Sequence, residues 1–207
     1  MKITHLFHHY APVVGGMEKV VQNIAEEHAK MGHDVHILTS IFGAEQESKE
    51  EILNKVSIKR LKAFQLHYPD LTFPLERADK LLKESDIVHA HSQKSFFNHI
   101  LSLRAKKLGT PLLMDFISVD YLETHRNIFV RGFGSCYQNV LEQRSINFVD
   151  TPITLNRRDY LKLQQKFGVT SLIVPNGLEK IFFTRPRDED LFRAKRDVNC
   201  EKLFACI

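Results

Sequence analysis

The chain has 207 residues, 43% of them hydrophobic, 26% charged and 10% aromatic, a composition that builds a packed core and excludes a disordered, collagenous or wholly coiled-coil protein. Lysine plus arginine exceed aspartate plus glutamate by 29 to 25, and the resulting charge of +4 is too mild to imply nucleic-acid binding. No apolar run approaches the roughly 20 residues that span a bilayer, and the N-terminus lacks a signal peptide's apolar core, so the expected location is the cytoplasm.

In chain order, Lys2 to Phe7 is a short β-prone run, followed by a loop through Pro12, Gly15 and Gly16. From Met17 to Met31, Val20, Val21, Ile24, Ala25 and His28 recur at helical spacing with charged residues on the other face, and Gly32 stops the helix. Asp34 to Ser40 reads as a second strand. Gly43 to Lys55 is a polar excursion, and Val56 to Leu61 alternates like a half-exposed or edge strand. Phe73 to Lys83 fits a helix with Pro74 in its first turn; Asp86 to His91 is a strand, Phe96 to Leu108 a helix, and Pro111 to Ile117 a strand. Val130 to Asn147 continues as a helix, Phe148 to Thr154 as a strand, Arg157 to Phe167 as a helix, and Ser171 to Val174 as a last strand before the turn Pro175-Asn176-Gly177. This alternation predicts an α/β fold, a Rossmann-like doubly wound parallel sheet. Residues 1–177 are expected to form that domain. Residues 178–207 read as a linker, Glu179 to Asp190, and the start of a second domain whose first strand is Lys202 to Ile207. Cys136, Cys200 and Cys206 match neither a zinc ribbon nor a disulfide framework and read as reduced thiols, mostly core filler.

Ligands of open α/β sheets bind beyond the carboxyl ends of the strands, which selects five places. Gly15-Gly16, ahead of a helix N-terminus, lets an anion approach the backbone, although a tight turn without ligand needs the same residues. His89 and His91 alternate on one strand, so both imidazoles can share a face; they suit proton transfer or substrate contact, and with no third ligand at convincing spacing no metal is expected. His5 reads as a packed strand residue, and His8 or His9 as close to the glycine loop. Asp115 and Asp120 could orient or deprotonate a hydroxyl, with turn capping as the plainer reading. Thr154 reads as a helix cap, and Asn176 as a turn residue. The absence of GxGxxG argues against a dinucleotide enzyme.

Four motifs in register, Pro12-x-x-Gly15-Gly16-x-Glu18, His33-Asp34-Val35 through Thr39, Asp86-Ile87-Val88-His89-Ala90-His91 and Val174-Pro175-Asn176-Gly177-Leu178, resemble the N-terminal half of a family 4 glycosyltransferase. The resemblance implies the two-domain GT-B architecture, with this domain on the acceptor side and a second domain binding the nucleotide sugar. It implies sugar transfer with retention, no cofactor, no metal, and a linker after Gly177 that acts as a hinge. Gly15 and Gly16 match the loop that approaches the donor diphosphate, Glu18 a polar position behind it, His91 a cleft-facing position near the acceptor, and Thr154 a small hydroxyl residue. Members of the family often carry a histidine-glycine pair after the fifth strand. Here Asp115-Phe116-Ile117-Ser118 stands instead, raising Asp115, Ser118 and Asp120 as acceptor-side candidates, with Asp115 and His91 assigned to catalysis. The family's donor-binding glutamate pair lies outside the sequence, so the chain alone is expected to be inactive. Partners expected from the resemblance are a nucleotide sugar, a sugar or lipid-linked acceptor, and a peripheral membrane contact through Arg126 to Arg131. A non-catalytic module that binds a phosphorylated sugar or lipid head group is the alternative.

Overall fold

A computed structural model of the protein describes residues 1–66, 71–119 and 126–177, of which Met1–Pro175 form one compact unit. The strands are β1 (Lys2–Leu6), β2 (Asp34–Ser40), β3 (Glu50–Leu53), β4 (Val56–Leu61), β5 (Ala63–Leu66), β6 (Leu71–Pro74), β7 (Ile87–Ala90), β8 (Leu112–Phe116), β9 (Thr151–Thr154) and β10 (Leu172–Ile173). The helices are α1 (Gly16–Lys30), α2 (Asp79–Glu84), α3 (Phe96–Lys107), α4 (Ile128–Ile146) and α5 (Arg157–Phe167). Eight strands make one sheet in the order β10-β9-β8-β7-β1-β2-β4-β3, parallel throughout except for the β3–β4 hairpin. The order reverses at β1, between β2 on one side and β7 on the other, as in a doubly wound sheet.

Two apolar layers sandwich the sheet. On one face Val21, Ala25 and Ala29 of α1 pack on Val35, Ile37, Val56 and Ile58. On the other, Leu82 of α2, Phe97, Leu101 and Ala105 of α3, and Leu163 of α5 pack on Leu6, Leu38, Val88, Leu112 and Met114. Alternation along each strand therefore decides which residues meet α1 and which meet the other helices.

Several expectations from the sequence change. The helix over Phe73 to Lys83 is only α2; its first residues belong to the β5–β6 hairpin, where Phe64 stands opposite Phe73 and Phe73 packs against Phe96. Cross-strand aromatic contact outweighs the helical spacing there, and Pro74 ends a strand, where its missing N–H costs nothing. The polar excursion contains β3, so β4 is an interior strand and not an edge. Its Arg60 side chain is 1% exposed, donating to the Ala11 and Ser48 carbonyls and to Glu51 Oε1. The strand expected from Phe148 begins at Thr151, because Phe148 closes the α4 end by packing edge-on to His99. Cys136 lies exposed on α4 and fills no core; Cys200 and Cys206, the linker and the strand at Lys202 to Ile207 fall outside the described residues. Among the described residues no helix is long and apolar enough to cross a membrane.

Candidate functional site

The carboxyl ends of β1, β7 and β8 meet at the topological switch point, where an open α/β sheet presents its crevice. β1 leads into a loop held from beneath by the guanidinium of Arg60 on the Ala11 carbonyl. That loop delivers Gly15 as the extended N-cap of α1, with no side-chain cap hydrogen bond. The first N–H groups of α1 thus have no capping side chain, and the helix dipole favours an anion at that end. The Glu18 carboxylate folds back over Gly15, occupying the space that a Cβ there would need, whereas a Cβ on Gly16 would meet nothing within 4 Å.

Among the side chains of β1, α1, β7 and β8 runs a chain of hydrogen bonds that joins four imidazoles and one carboxylate. His5 and His89 are register partners on β1 and β7, and His91 and Asp115 follow one step beyond the paired Ala90 and Met114. Alternation turns all four side chains to the α1 face. His28 Nδ1 lies 3.2 Å from His5 Nε2, His5 Nδ1 2.9 Å from His91 Nε2, and His91 Nδ1 2.9 Å from Asp115 Oδ2. The other carboxylate oxygen, Asp115 Oδ1, meets His89 Nε2 at 2.9 Å. Burial favours the neutral ring, lowering His5 and His28 from the usual imidazole range and His91 to about 4, with the neighbouring imidazoles adding to the effect. Burial alone would raise Asp115; two imidazoles at hydrogen-bond distance outweigh it and hold the carboxyl below the ordinary carboxylate range. An ionised Asp115 only accepts, which assigns the N–H to His91 Nδ1 and His89 Nε2 and then, in turn, to His5 Nδ1 and His28 Nδ1.

The segment after β8 is clamped. The Gln93 side chain accepts from the Ile117 N–H and donates to its carbonyl, and the Asp159 carboxylate receives the Ser118 and Val119 N–H groups. Ser118 itself is exposed with φ of 50°, a left-handed conformation that points to a constrained turn.

The predicted residues therefore separate. Gly15, Gly16 and Glu18 stand at the helix end, and Ser118 is presented at the strand ends. His91 and Asp115 come together, but His91 is fully buried and Asp115 is 5% exposed, so neither is presented to a ligand at the surface. Thr154 does not cap α5: it is buried, with its hydroxyl paired to Ser171, and Asn156 accepts the capping N–H of Asp159. Asn176 is exposed, and Asp120 falls outside the described residues. The sequence reading missed His5 and His28 as members of the cluster. Their signal was present, since His5 sits at the same distance from its strand end as His89 does, but only the β1–β7 register makes them neighbours. Two pronounced surface hollows, one beside His36 and Lys59 and one beside Asp79 and Arg104, lie away from these strand ends.

Residues 14–180 match the family model described as Glycosyltransferase Family 4. The chain is 25% identical over 146 residues to a GDP-mannose:cellobiosyl-diphosphopolyprenol alpha-mannosyltransferase of Xanthomonas oryzae pv. oryzae, covering 68% of this chain and 35% of that protein. It is 28% identical over 141 residues to the Xanthomonas campestris protein of the same description, covering 65% and 34%. Among solved structures, Anabaena HepE in complex with UDP-glucose superposes with a TM-score of 0.67 at 15% identity, over 96% of this chain and 50% of that one. A glycosyltransferase from Rickettsia africae superposes with a TM-score of 0.56 at 16% identity, over 96% and 49%. These structures share the GT-B fold, and the chain spans about a third of the length of the curated relatives and half that of the structures.

Proposed function

The chain belongs to glycosyltransferase family 4, and from that premise we propose that it is the acceptor-side domain of a transferase that moves a hexose from a nucleotide sugar onto a lipid-diphosphate-linked saccharide, with retention. The observation that carries this reading is the position of Gly15 and Gly16. An uncapped helix N-terminus, a glycine with open space above it and the carboxyl ends of β1 and β7 converge at the switch point of the sheet. A diphosphate is the anion such a terminus suits, because its charge develops further as the sugar leaves. The Glu18 carboxylate must swing off Gly15 for that anion to approach.

In this reading Ser118 contacts the acceptor, and Asp115 and His91 act as positioning residues whose fixed hydrogen bonds keep the crevice floor from relaxing. Residues 178–207 open the donor-side domain, and the diphosphate's remaining partners come from that domain. GDP-mannose is the first donor to try, because the curated relatives are described by it, and UDP-glucose the second, because HepE is described as bound to it. Peripheral membrane contact is supported by α4, where Ile128 and Phe133 are exposed near Arg126 and Arg131.

Isothermal titration with GDP-mannose, whose diphosphate is the one that loses the sugar, tests the reading. The account expects binding by the chain that weakens several-fold in Gly16→Ala. Binding of a free sugar phosphate as tight as that of GDP-mannose, and indifferent to Gly16→Ala, would contradict it and favour a non-catalytic binding module.

A further inference from the structure

Four imidazoles and one carboxylate, with His5, His91 and Asp115 buried and His28 and His89 half-buried, are costly to desolvate, and the sugar-transfer reading uses them only for positioning. We propose that His5, His89 and His91 bind a divalent transition-metal ion of borderline softness, with Zn2+ as the probe, and that Asp115 and His28 are the outer partners that orient the ligands. One nitrogen from each of the three rings lies within 4.8 Å of the others, and two of the rings are closed to solvent. Tetrahedral ligands about 2.0–2.1 Å from an ion stand roughly 3.4 Å apart, so the His5 to His91 contact of 2.9 Å opens by a few tenths of an ångström and the widest gap narrows.

The hydrogen bonds already have the form of a metal site's outer shell. Ligating imidazoles characteristically give their second nitrogen to a carboxylate or another fixed acceptor. Asp115 takes the N–H of both His89 and His91, leaving each ring one lone pair, and His28 faces the second nitrogen of His5. Binding through His5 Nδ1 moves its proton to Nε2, from which it is donated to His28 Nδ1, while the His28 proton moves to its own Nε2. The proton count is unchanged. Three imidazoles with no carboxylate in the inner shell select zinc-like ions over magnesium or calcium, which take oxygen ligands. The ion would pin the ends of β1, β7 and β8 to one another, independently of whether the chain takes part in sugar transfer.

The test uses the 207-residue chain freed of metal with a chelator, then titrated with Zn2+ by equilibrium dialysis and with Co2+ by visible absorption. The proposal predicts one ion per chain with a Kd below about 1 μM and the intense absorption of tetrahedral cobalt. His89→Asn weakens binding at least about 100-fold and Asp115→Asn about 10- to 100-fold, whereas His36→Asn, on β2 beside Asp34, leaves it unchanged. Circular dichroism checks that each variant is folded. Should His89→Asn not fold, paramagnetic broadening in the cobalt-loaded wild-type chain decides instead, and it must centre on the rings of His5, His89 and His91. No bound ion, a weak octahedral cobalt spectrum, broadening centred elsewhere, or equal loss in His36→Asn overturns the proposal.

Discussion

Gly16 separates a folding role from a ligand role. A Cβ there meets nothing within 4 Å and its φ lies outside the left-handed region, so Gly16→Ala should leave the melting temperature unchanged or raise stability by up to about 1 kcal/mol. If a diphosphate approaches the backbone, the same change weakens ligand binding, and calorimetry with thermal melts reads both effects on one protein. Arg60 is the opposite case, a residue whose worth is structural. Arg60→Met leaves the Ala11 and Ser48 carbonyls without their donor and Glu51 without its ion pair, for a loss of about 2–4 kcal/mol by chemical denaturation. Glu51 is itself 30% exposed, which keeps the loss toward the lower end. The sequence shows Arg60 only as one basic residue in an alternating strand. Its burial depends on β3 covering β4 and on the loop from β1 arriving above it, neither of which is a local property.

At the scale of elements, α4 carries a buried acid that costs the fold stability. Burial raises Glu142 above the ordinary carboxylate range, against the donated N–H groups of Gln93 and Gln138 on Oε1, while its Oε2 has no partner among the described residues. A carboxyl with a raised native pKa contributes most to stability below its unfolded value near 4.3, and that contribution is lost as pH rises through the native value. Glu142→Gln should therefore be more stable than wild type at pH 7, with the difference shrinking toward pH 4; melts across that range check it. The helices were the legible elements. α1, α3 and α5 each end beside a glycine with positive φ, Gly32, Gly109 and Gly168, as their periodicity and stop signals predict. The β5–β6 hairpin was not legible, because Leu71-Thr72-Phe73-Pro74 is too short to distinguish period two from period 3.6, and its partner strand is chosen by aromatic contact.

For the whole molecule, the order of strands and helices in the sequence was enough to give a doubly wound sheet and to locate the crevice, since right-handed crossovers leave few alternatives. The glycine loop was legible for the same reason: a strand, two glycines and a helix fix its place at the switch point. The histidine cluster was only half legible. His89 and His91 announce themselves by alternation, but His5 lies 84 positions earlier than His89, and the contact exists only once β1 and β7 pair. The carboxyl ends of β1 and β7, with the Gly15–Gly16 turn, are proposed to receive the donor's diphosphate. The most direct test is amide chemical-shift mapping of the isotope-labelled chain with GDP-mannose. Saturable shifts at Gly15, Gly16 and Met17 are expected; shifts confined to the hollows beside His36 or Arg104, or none at all, would contradict the assignment.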